Sequence, residues 1–166
     1  LTSISGGTVT MRGNSSYPPY LYYKDTPPLS DIKDIGCGNQ YSIFIKSDGT
    51  IWGLGTNTNN SGTQSLYNIP EGVHLTSVQR ILPEISNAKE IVNENGGYRS
   101  IILTSDGKIY PNMIQGVSYS VIDHIPNIKN IYASGHVLTT EGELWNISTF
   151  YRTTIDDNDT VHKIDS

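Results

Sequence analysis

The chain has 166 residues, of which 16% are charged, and a formal net charge of −5 at pH 7. This length fits one domain with a sizeable core. No short window holds more than two basic residues, and nucleic acid is therefore not expected as a partner, because phosphate binding needs a basic surface. No apolar run approaches the roughly 18 residues of a membrane span, so membrane insertion is not expected either.

The remaining composition favours an all-β protein with many turns, since Gly, Asn, Ser, Thr and Tyr are plentiful. The single cysteine, Cys37, excludes an intrachain disulfide. No signal peptide is visible, and the first residue is Leu1, which predicts a mature product or an excised part of a longer chain.

A short pattern recurs four times along the chain, and it is the strongest indication of architecture. Its complete copies open at Asp31, Ala88 and Ile128. The fourth copy is split between the chain ends: residues 161–166 read as its first strand, and residues 6–14 read as its later strands. Repeats spaced by about 35 to 58 residues, each with several short strands, are typical of a β-propeller.

The first complete copy shows the elements of one unit in order. A short strand, Ile32–Ile35, leads into the glycine-rich turn Gly36–Gly38. The apolar run Ser42–Ile45 predicts a strand buried on both faces. Asp48-Gly49 then predicts a hairpin with a type I′ turn, in which both central residues have positive φ. The third strand begins with Ile51-Trp52, and a variable loop with a weak outer strand completes the unit.

The later copies keep the same order with shorter elements. Their hairpin turns are Asp106-Gly107 and Glu141-Gly142. Trp52, Tyr110 and Trp145 align in the third strands, and we expect them to lie in the core between blades. No segment has a convincing amphipathic pattern, although Leu75–Ile85 has room for one or two helical turns.

These elements predict an all-β propeller of about four blade units within a single domain, residues 1–166. The expected divisions are a half blade at 1–30, blades at 31–87, 88–127 and 128–160, and a closing strand at 161–166. Both a closed four-bladed ring and a part of a larger ring fit this pattern. In the closed form, strands from both ends would complete one blade and remove an open sheet edge.

The units resemble the repeats of the regulator-of-chromosome-condensation family. The resemblance is carried by Cys37-Gly38, Ser47–Thr50, Trp52-Gly53 and Gly55–Asn57, and weaker copies extend it over most of the chain. It implies a β-propeller fold, which in that family usually has about seven blades. Asn59–Gly62 replaces the family's usual ending, and no counterpart of its surface for a small GTPase is recognisable. Nucleotide exchange is therefore not implied.

No motif predicts catalysis, a cofactor or a metal site. The four histidines lack metal-ligand spacing. Cys37 has no nearby His or second Cys, and we expect it to pack in a small, buried turn position. The acidic run Asp156–Asp159 has oxygen ligands that suit Ca²⁺, but it lacks an EF-hand register and is interpreted as a turn.

Two segments depart from the repeat, and departures on a rigid scaffold are where binding residues concentrate. The segment Tyr17–Tyr23 alternates tyrosines that make large contacts at low entropic cost. The second segment is the insertion at 56–82. The predicted ligand-binding residues of these segments are Tyr17, Tyr20, Tyr22, Tyr23, Tyr67, His74 and Arg80.

The sequence therefore predicts a non-catalytic recognition module that binds a protein or a surface glycan. Its partners could include other chains or the rest of a larger protein. The use of Ile, Asn and Tyr resembles that of low-GC bacteria or their phages, which favours receptor binding on a cell surface or a phage-tail-like particle. The alternatives are an intracellular regulator of a small GTPase and a proteinaceous enzyme inhibitor.

Overall fold

The computed structural model describes residues 2–5, 8–11, 29–38, 41–56, 69, 73–93, 100–111, 122–123, 125–147 and 162–163, and the account below concerns these residues. Within them the chain forms thirteen strands and no helix. The strands are β1 (Thr2–Ser5), β2 (Thr8–Met11), β3 (Ile32–Cys37), β4 (Tyr41–Lys46), β5 (Ile51–Thr56), β6 (His74–Arg80), β7 (Ala88–Asn93), β8 (Ser100–Thr104), β9 (Ile109–Pro111), β10 (Ile128–Tyr132), β11 (His136–Thr139), β12 (Leu144–Asn146) and β13 (His162–Lys163).

These strands form four antiparallel sheets, which confirms the predicted all-β propeller organisation. β1 and β2 form an N-terminal hairpin. We name the next three sheets blade 1 (β3 to β6), blade 2 (β7 to β9) and blade 3 (β10 to β13); in each, hydrogen-bonded neighbours follow chain order. In blade 2, a backbone bridge between Ile109 and Ile122 lies at the edge where blade 1 has its fourth strand.

The hairpin between the second and third strands has the same geometry in every blade. The N–H of Gly49 donates to the carbonyl of Lys46 at 2.9 Å, and Gly107 and Gly142 make the equivalent bond. These glycines have φ of 79°, 81° and 86°, whereas the acidic residues before them do not have positive φ. This is a type I turn followed by a left-handed glycine in a three-residue loop. The predicted hairpins are confirmed, and the predicted type I′ turn is wrong.

Two of the apolar clusters lie between successive blades. Side chains alternate between the two faces of each strand, so neighbouring residues belong to different clusters. Cluster 1 joins Ile43, Ile45 and Ile51 of blade 1 to Ile91 and Ile102 of blade 2. Cluster 2 joins blades 2 and 3, with residues that include Ile101, Leu103, Ile109, Ile131 and Val137. Each blade thus gains its buried area chiefly from its neighbours, as the repeat pattern implies.

The third cluster covers the opposite face of blade 1. Phe44 and Leu54 are almost completely buried there, together with Ile32, and Trp52 packs against them. Tyr110 packs in the same way on cluster 1, and Trp145 on cluster 2. The three aligned aromatic residues are half-buried, so they border the interior rather than filling it.

Hydrogen bonds link blades 1 and 2 at their first strands, which lie side by side. One carboxylate oxygen of Asp34 accepts from the backbone N–H of Ile91 at 2.8 Å, and the other accepts from the N–H of Ile35 at 2.8 Å. The buried hydroxyls of Tyr41 and Ser100 are 2.9 Å apart. These contacts fix the register of one blade against the next.

Two segments differ from the prediction. The segment Leu75–Ile85 contains most of β6 in place of helical turns, because its backbone pairs with β5. The sequence of residues 161–166 predicts the first strand of a further unit. Instead, their strand β13 pairs antiparallel with β12 as the last strand of blade 3. A strand of two residues forms by pairing with an open sheet edge, and in this structure that edge is β12.

Gly49 is required both for its backbone conformation and for its position between blades. A Cβ on Gly49 would lie 2.4 Å from the carbonyl oxygen of Ser86, whereas one on Gly107 would meet nothing within 4 Å. The two glycines have almost the same positive φ, which costs a non-glycine residue about 1 kcal/mol or more. We expect Gly107→Ala to lose that amount and Gly49→Ala to lose at least about 1 kcal/mol more. Urea denaturation measures both; equal losses would contradict the close contact.

The Asp34 carboxylate is expected to stabilise the contact between blades 1 and 2. Asp34→Ala removes the acceptor of the half-buried Ile91 N–H, and an unsatisfied buried donor costs about 1–3 kcal/mol. Asp34→Asn keeps one acceptor oxygen and should lose less. The free energy of unfolding of the two variants at neutral pH tests this, and an alanine variant as stable as wild type would rule out the bridging role.

A candidate recognition site around Trp52

Two of the predicted ligand-binding residues lie within the described strands. His74 begins β6, where its backbone is opposite Thr56, and Arg80 ends β6, opposite Trp52. The other predicted residues lie outside the described residues and stay predictions: Tyr17, Tyr20, Tyr22, Tyr23 and Tyr67. Of the whole set, Arg80 is the one whose side-chain surroundings are described.

Arg80 belongs to a group of side chains that we name the Trp52 cluster: Lys46, Asp48, Thr50, Trp52 and Arg80. The half-buried Trp52 indole donates from Nε1 to Thr50 Oγ1 at 2.9 Å. The Lys46 ammonium lies 5.6 Å from the centre of the Trp52 ring, a cation–π distance. The sequence predicts only a packing role for Trp52 and does not single out Lys46.

The exposed guanidinium of Arg80 is positioned by the chain segment that follows β6. Its Nη2 atom donates to the backbone carbonyl of Pro83 at 3.0 Å. This bond uses one of the five guanidinium donors. Within the part of the chain that the structure describes, it is the one hydrogen bond of this guanidinium.

A short network holds the Asp48 carboxylate in its ionised form. Its Oδ1 atom accepts from the Thr50 hydroxyl at 2.6 Å and from the Thr50 N–H at 3.0 Å. The hydroxyl bond is the largest cause that lowers the pKa of Asp48, the N–H bond is next, and the charges of Lys46 and Arg80 add to both. The Trp52 cluster thus has fixed charges of both signs around an aromatic ring.

The equivalent positions of the other blades carry different side chains. Thr104 and Thr139 replace Lys46, and Lys108 and Glu143 replace Thr50. Trp145 consequently donates to a carboxylate, Glu143 Oε2, at 3.3 Å. Because the backbone repeats and these side chains do not, the stacking of a cation on the aligned aromatic ring is seen in blade 1 alone among the described residues.

The described residues do not indicate a metal site or a reactive thiol. No group of three His, Cys, Asp or Glu side chains in the described ranges could hold a metal ion. Cys37 is exposed at the end of β3, so its predicted burial is wrong. The preceding residue, Gly36, is the one that is buried against blade 2. None of the described segments is a helix long and apolar enough to cross a membrane.

Two carboxylates of the described residues, Asp34 and Glu90, affect each other from the first strands of blades 1 and 2. Burial raises the pKa of Glu90, the negative charge of Asp34 raises it further, and Lys89 opposes both. Both oxygens of Asp34 already accept backbone hydrogen bonds. This arrangement suits a structural contact between blades better than a pair of catalytic carboxylates.

Replacing Glu90 by Gln should stabilise the protein at neutral pH. A carboxyl whose folded pKa is raised contributes stability that is complete below its unfolded value of 4.5 and is lost as the pH rises through the folded pKa. Gln imitates the neutral form, so the variant should gain stability over wild type near neutrality and show little difference near about pH 4. Urea denaturation at both pH values tests this, with the exposed Asp123→Asn as control. A Glu90→Gln variant less stable at neutral pH would contradict the raised pKa.

The repeated antiparallel blades, their shared glycine turns and the apolar clusters between them define a β-propeller. The chain matches a crystal structure of human WBSCR16 with a TM-score of 0.58 and 10% identity, over 97% of this chain and 49% of that one. It matches Prp20p from Saccharomyces cerevisiae with a TM-score of 0.54 and 17% identity, over 87% and 41% of the two chains. A structure of Kap60 bound to yeast RCC1 (Prp20) matches with a TM-score of 0.56 and 16% identity, over 96% and 44%.

These likenesses show the fold, and at such low identity they show no more than the fold. The chain spans less than half the length of each of these solved structures. No family model matches the chain, and no curated protein matches it.

Proposed function

We propose that the chain is a non-catalytic module that binds a protein partner through the Trp52 cluster and the loops beside it. The observation that carries this proposal is the pair of cations beside the half-buried Trp52: the half-buried Lys46 over its ring and the exposed Arg80 on the neighbouring strand. Trp and Arg are enriched among the residues that contribute most to protein–protein binding. The rigid blade below them limits the entropy lost on binding.

The charges of the site indicate the chemistry of the partner. Asp48 is already engaged with Thr50, whereas the Lys46 ammonium lies over the Trp52 ring and Arg80 is opposite Trp52 on the neighbouring strand. A partner segment with an acidic side chain next to an apolar one would fit this surface. Arg80 would bind the carboxylate, and Trp52 would contact the apolar group.

Structures with the same fold support protein binding as the function. The Prp20p structure is described together with binding to Gsp1p and histones, and RCC1 (Prp20) has been solved bound to Kap60. Those interactions belong to those proteins. They indicate that a propeller of this type is compatible with a binding role, which we extend to this chain as a proposal.

A more specific role, receptor binding on a bacterial surface or a phage-tail-like particle, rests on composition and on the tyrosine-rich segment 17–23. Tyrosine side chains also stack on sugars, so a surface glycan is the alternative ligand for that segment. The Trp52 cluster favours a protein over a glycan, because two cations beside the ring select for negative charge.

The proposal is tested with a displayed peptide library selected on the immobilised chain. We expect enrichment of acidic peptides with apolar neighbours. Their affinity should fall at least about tenfold for the double variant Lys46→Ala/Arg80→Ala and should decrease with salt. Lys108→Ala is the matched control, because Lys108 is an exposed lysine of blade 2 that pairs with Asp106 at 3.5 Å.

Three further outcomes would decide against this site. Unchanged affinity in the double variant would exclude the Trp52 cluster. Binding to purified cell-wall glycans with no selected peptide would favour the glycan alternative. Accelerated nucleotide release from a small GTPase, or stoichiometric inhibition of an enzyme, would favour the two other functions considered from the sequence.

A further inference from the structure

The first strand of every blade carries a lysine at the same position. Lys33, Lys89 and Lys129 are the second residues of β3, β7 and β10, and all three are exposed. In each blade the residues on either side of the lysine pair with the second strand, so the lysine is the residue that a β-bulge leaves out of the ladder. A bulge redirects the side chain at that point. We name the three residues the lysine row.

Packing does not explain why this lysine repeats. Buried positions repeat because each blade covers the next, as Ile91 and Ile131 show. Side chains beside the hairpin turns differ between blades, and Thr104 and Thr139 take the position that Lys46 has in blade 1. The lysine row is exposed, yet it keeps both its residue type and its position. A requirement other than burial therefore acts on these three residues.

The lysine row runs across successive blades. The first strand of blade 2 contacts the first strands of blades 1 and 3. Lys89 Nζ donates to the carbonyl oxygen of Lys129 at 3.2 Å, so this side chain extends towards the next blade. Sheets that pack face to face are about 10 Å apart. One lysine thus recurs about every 10 Å along the row.

The positive charge of the row has no ion-pair partner in the part of the chain that the structure describes. The ion pair found there joins Lys108 to Asp106, in the hairpin of blade 2. Like charges on neighbouring strands repel one another. A bound anion would relieve that repulsion.

The acidic side chains that follow the first two lysines are engaged by the blades themselves. Both carboxylate oxygens of Asp34 accept backbone hydrogen bonds. Burial raises the pKa of Glu90, and the charge of Asp34 raises it further, so its ionised form is disfavoured. Blade 3 has the uncharged Asn130 at this position. Lys129 consequently has no acidic neighbour within β10.

We propose that the lysine row binds an acidic polypeptide segment in an extended conformation, with one acidic residue for each blade. A polyproline II segment advances about 3.1 Å per residue and has three residues per turn, so every third side chain lies on one face, about 9 Å from the last. This spacing matches that of the blades. Nucleic acid is a poorer partner, because the net charge of −5 opposes phosphate binding. The row adds a second surface to the proposed protein-binding function and does not depend on the Trp52 cluster.

Fluorescence anisotropy tests the proposal with a labelled peptide that has glutamate at every third residue and serine elsewhere. We expect binding that weakens with added salt. The double variant Lys33→Gln/Lys129→Gln should weaken it at least about threefold, and adding Lys89→Gln should bring the loss to about tenfold, since each exposed charge pair contributes a modest amount. Arginine at all three positions should retain binding. The ammonium groups of Lys33 and Lys129 make no hydrogen bond among the described residues, so the double variant should fold even where Lys89→Gln loosens the blades.

Two control variants separate this surface from others. Lys108→Gln removes a lysine of blade 2 that lies outside the row, and it should bind the peptide as wild type does. Lys46→Ala/Arg80→Ala should also bind it unchanged, which distinguishes the row from the Trp52 cluster. A wild type that does not bind the peptide, or equal affinity in the double glutamine variant, would overturn the proposal. Binding to inorganic polyphosphate without binding to the peptide would overturn the choice of a polypeptide.

Discussion

The structure depends on the requirement that both faces of each blade be covered. The second strand of a blade has apolar side chains on its two faces, and a single sheet covers neither. Blades 1 and 2 meet this requirement by packing on their successors, with Ile43 and Ile45 in one interface and Ile101 and Leu103 in the next. With only one cysteine in the chain, burial and hydrogen bonds between sheets have to supply the stability that disulfides supply in small secreted domains.

The same requirement explains which residues repeat and which vary. In every blade the residue after the second strand donates from its N–H to the residue before the first strand, as Ser47, Ser105 and Thr140 do to Asp31, Asn87 and Asn127. These bonds hold the turns in equivalent positions, so backbone geometry is constant. Side chains beside the turns face solvent and are free to differ, and Lys46 and Arg80 have made blade 1 distinct.

The blade interfaces also determine the electrostatics of the interior. Asp34 is placed where it binds the Ile91 N–H of the next blade, and this brings its charge near the half-buried Glu90. The raised pKa of Glu90 is thus a consequence of blade packing. In the described part of the molecule, the side chains that distinguish one blade from the others lie beside the hairpin turns, in the Trp52 cluster.

The sequence alone determined the first three strands of each complete unit, their order and the positions of the hairpins. Apolar runs and Asp-Gly or Glu-Gly pairs are local signals, and three copies in register reinforce one another. It also identified Arg80 within a region of departure from the repeat, although Lys46 and Trp52 had no local feature that indicated binding. The predicted turn type was wrong because an Asp-Gly pair occurs in both two-residue and three-residue loops. The backbone hydrogen bonds of Lys46 and Gly49 distinguish the two loops.

Only the tertiary structure decided how the units meet. β13 has the sequence of a strand that opens a unit, yet it pairs with β12, because pairing depends on which sheet edge is open nearby. Cys37 is exposed and Gly36 buried because blade 2 lies against one side of β3. Ile45 is fully buried and Leu138 is half-buried. This difference in burial cannot be predicted from the residue types, because both are large and apolar. Whether a residue is buried depends on the sheet that packs against its strand. The sequence of the strand itself does not specify that sheet.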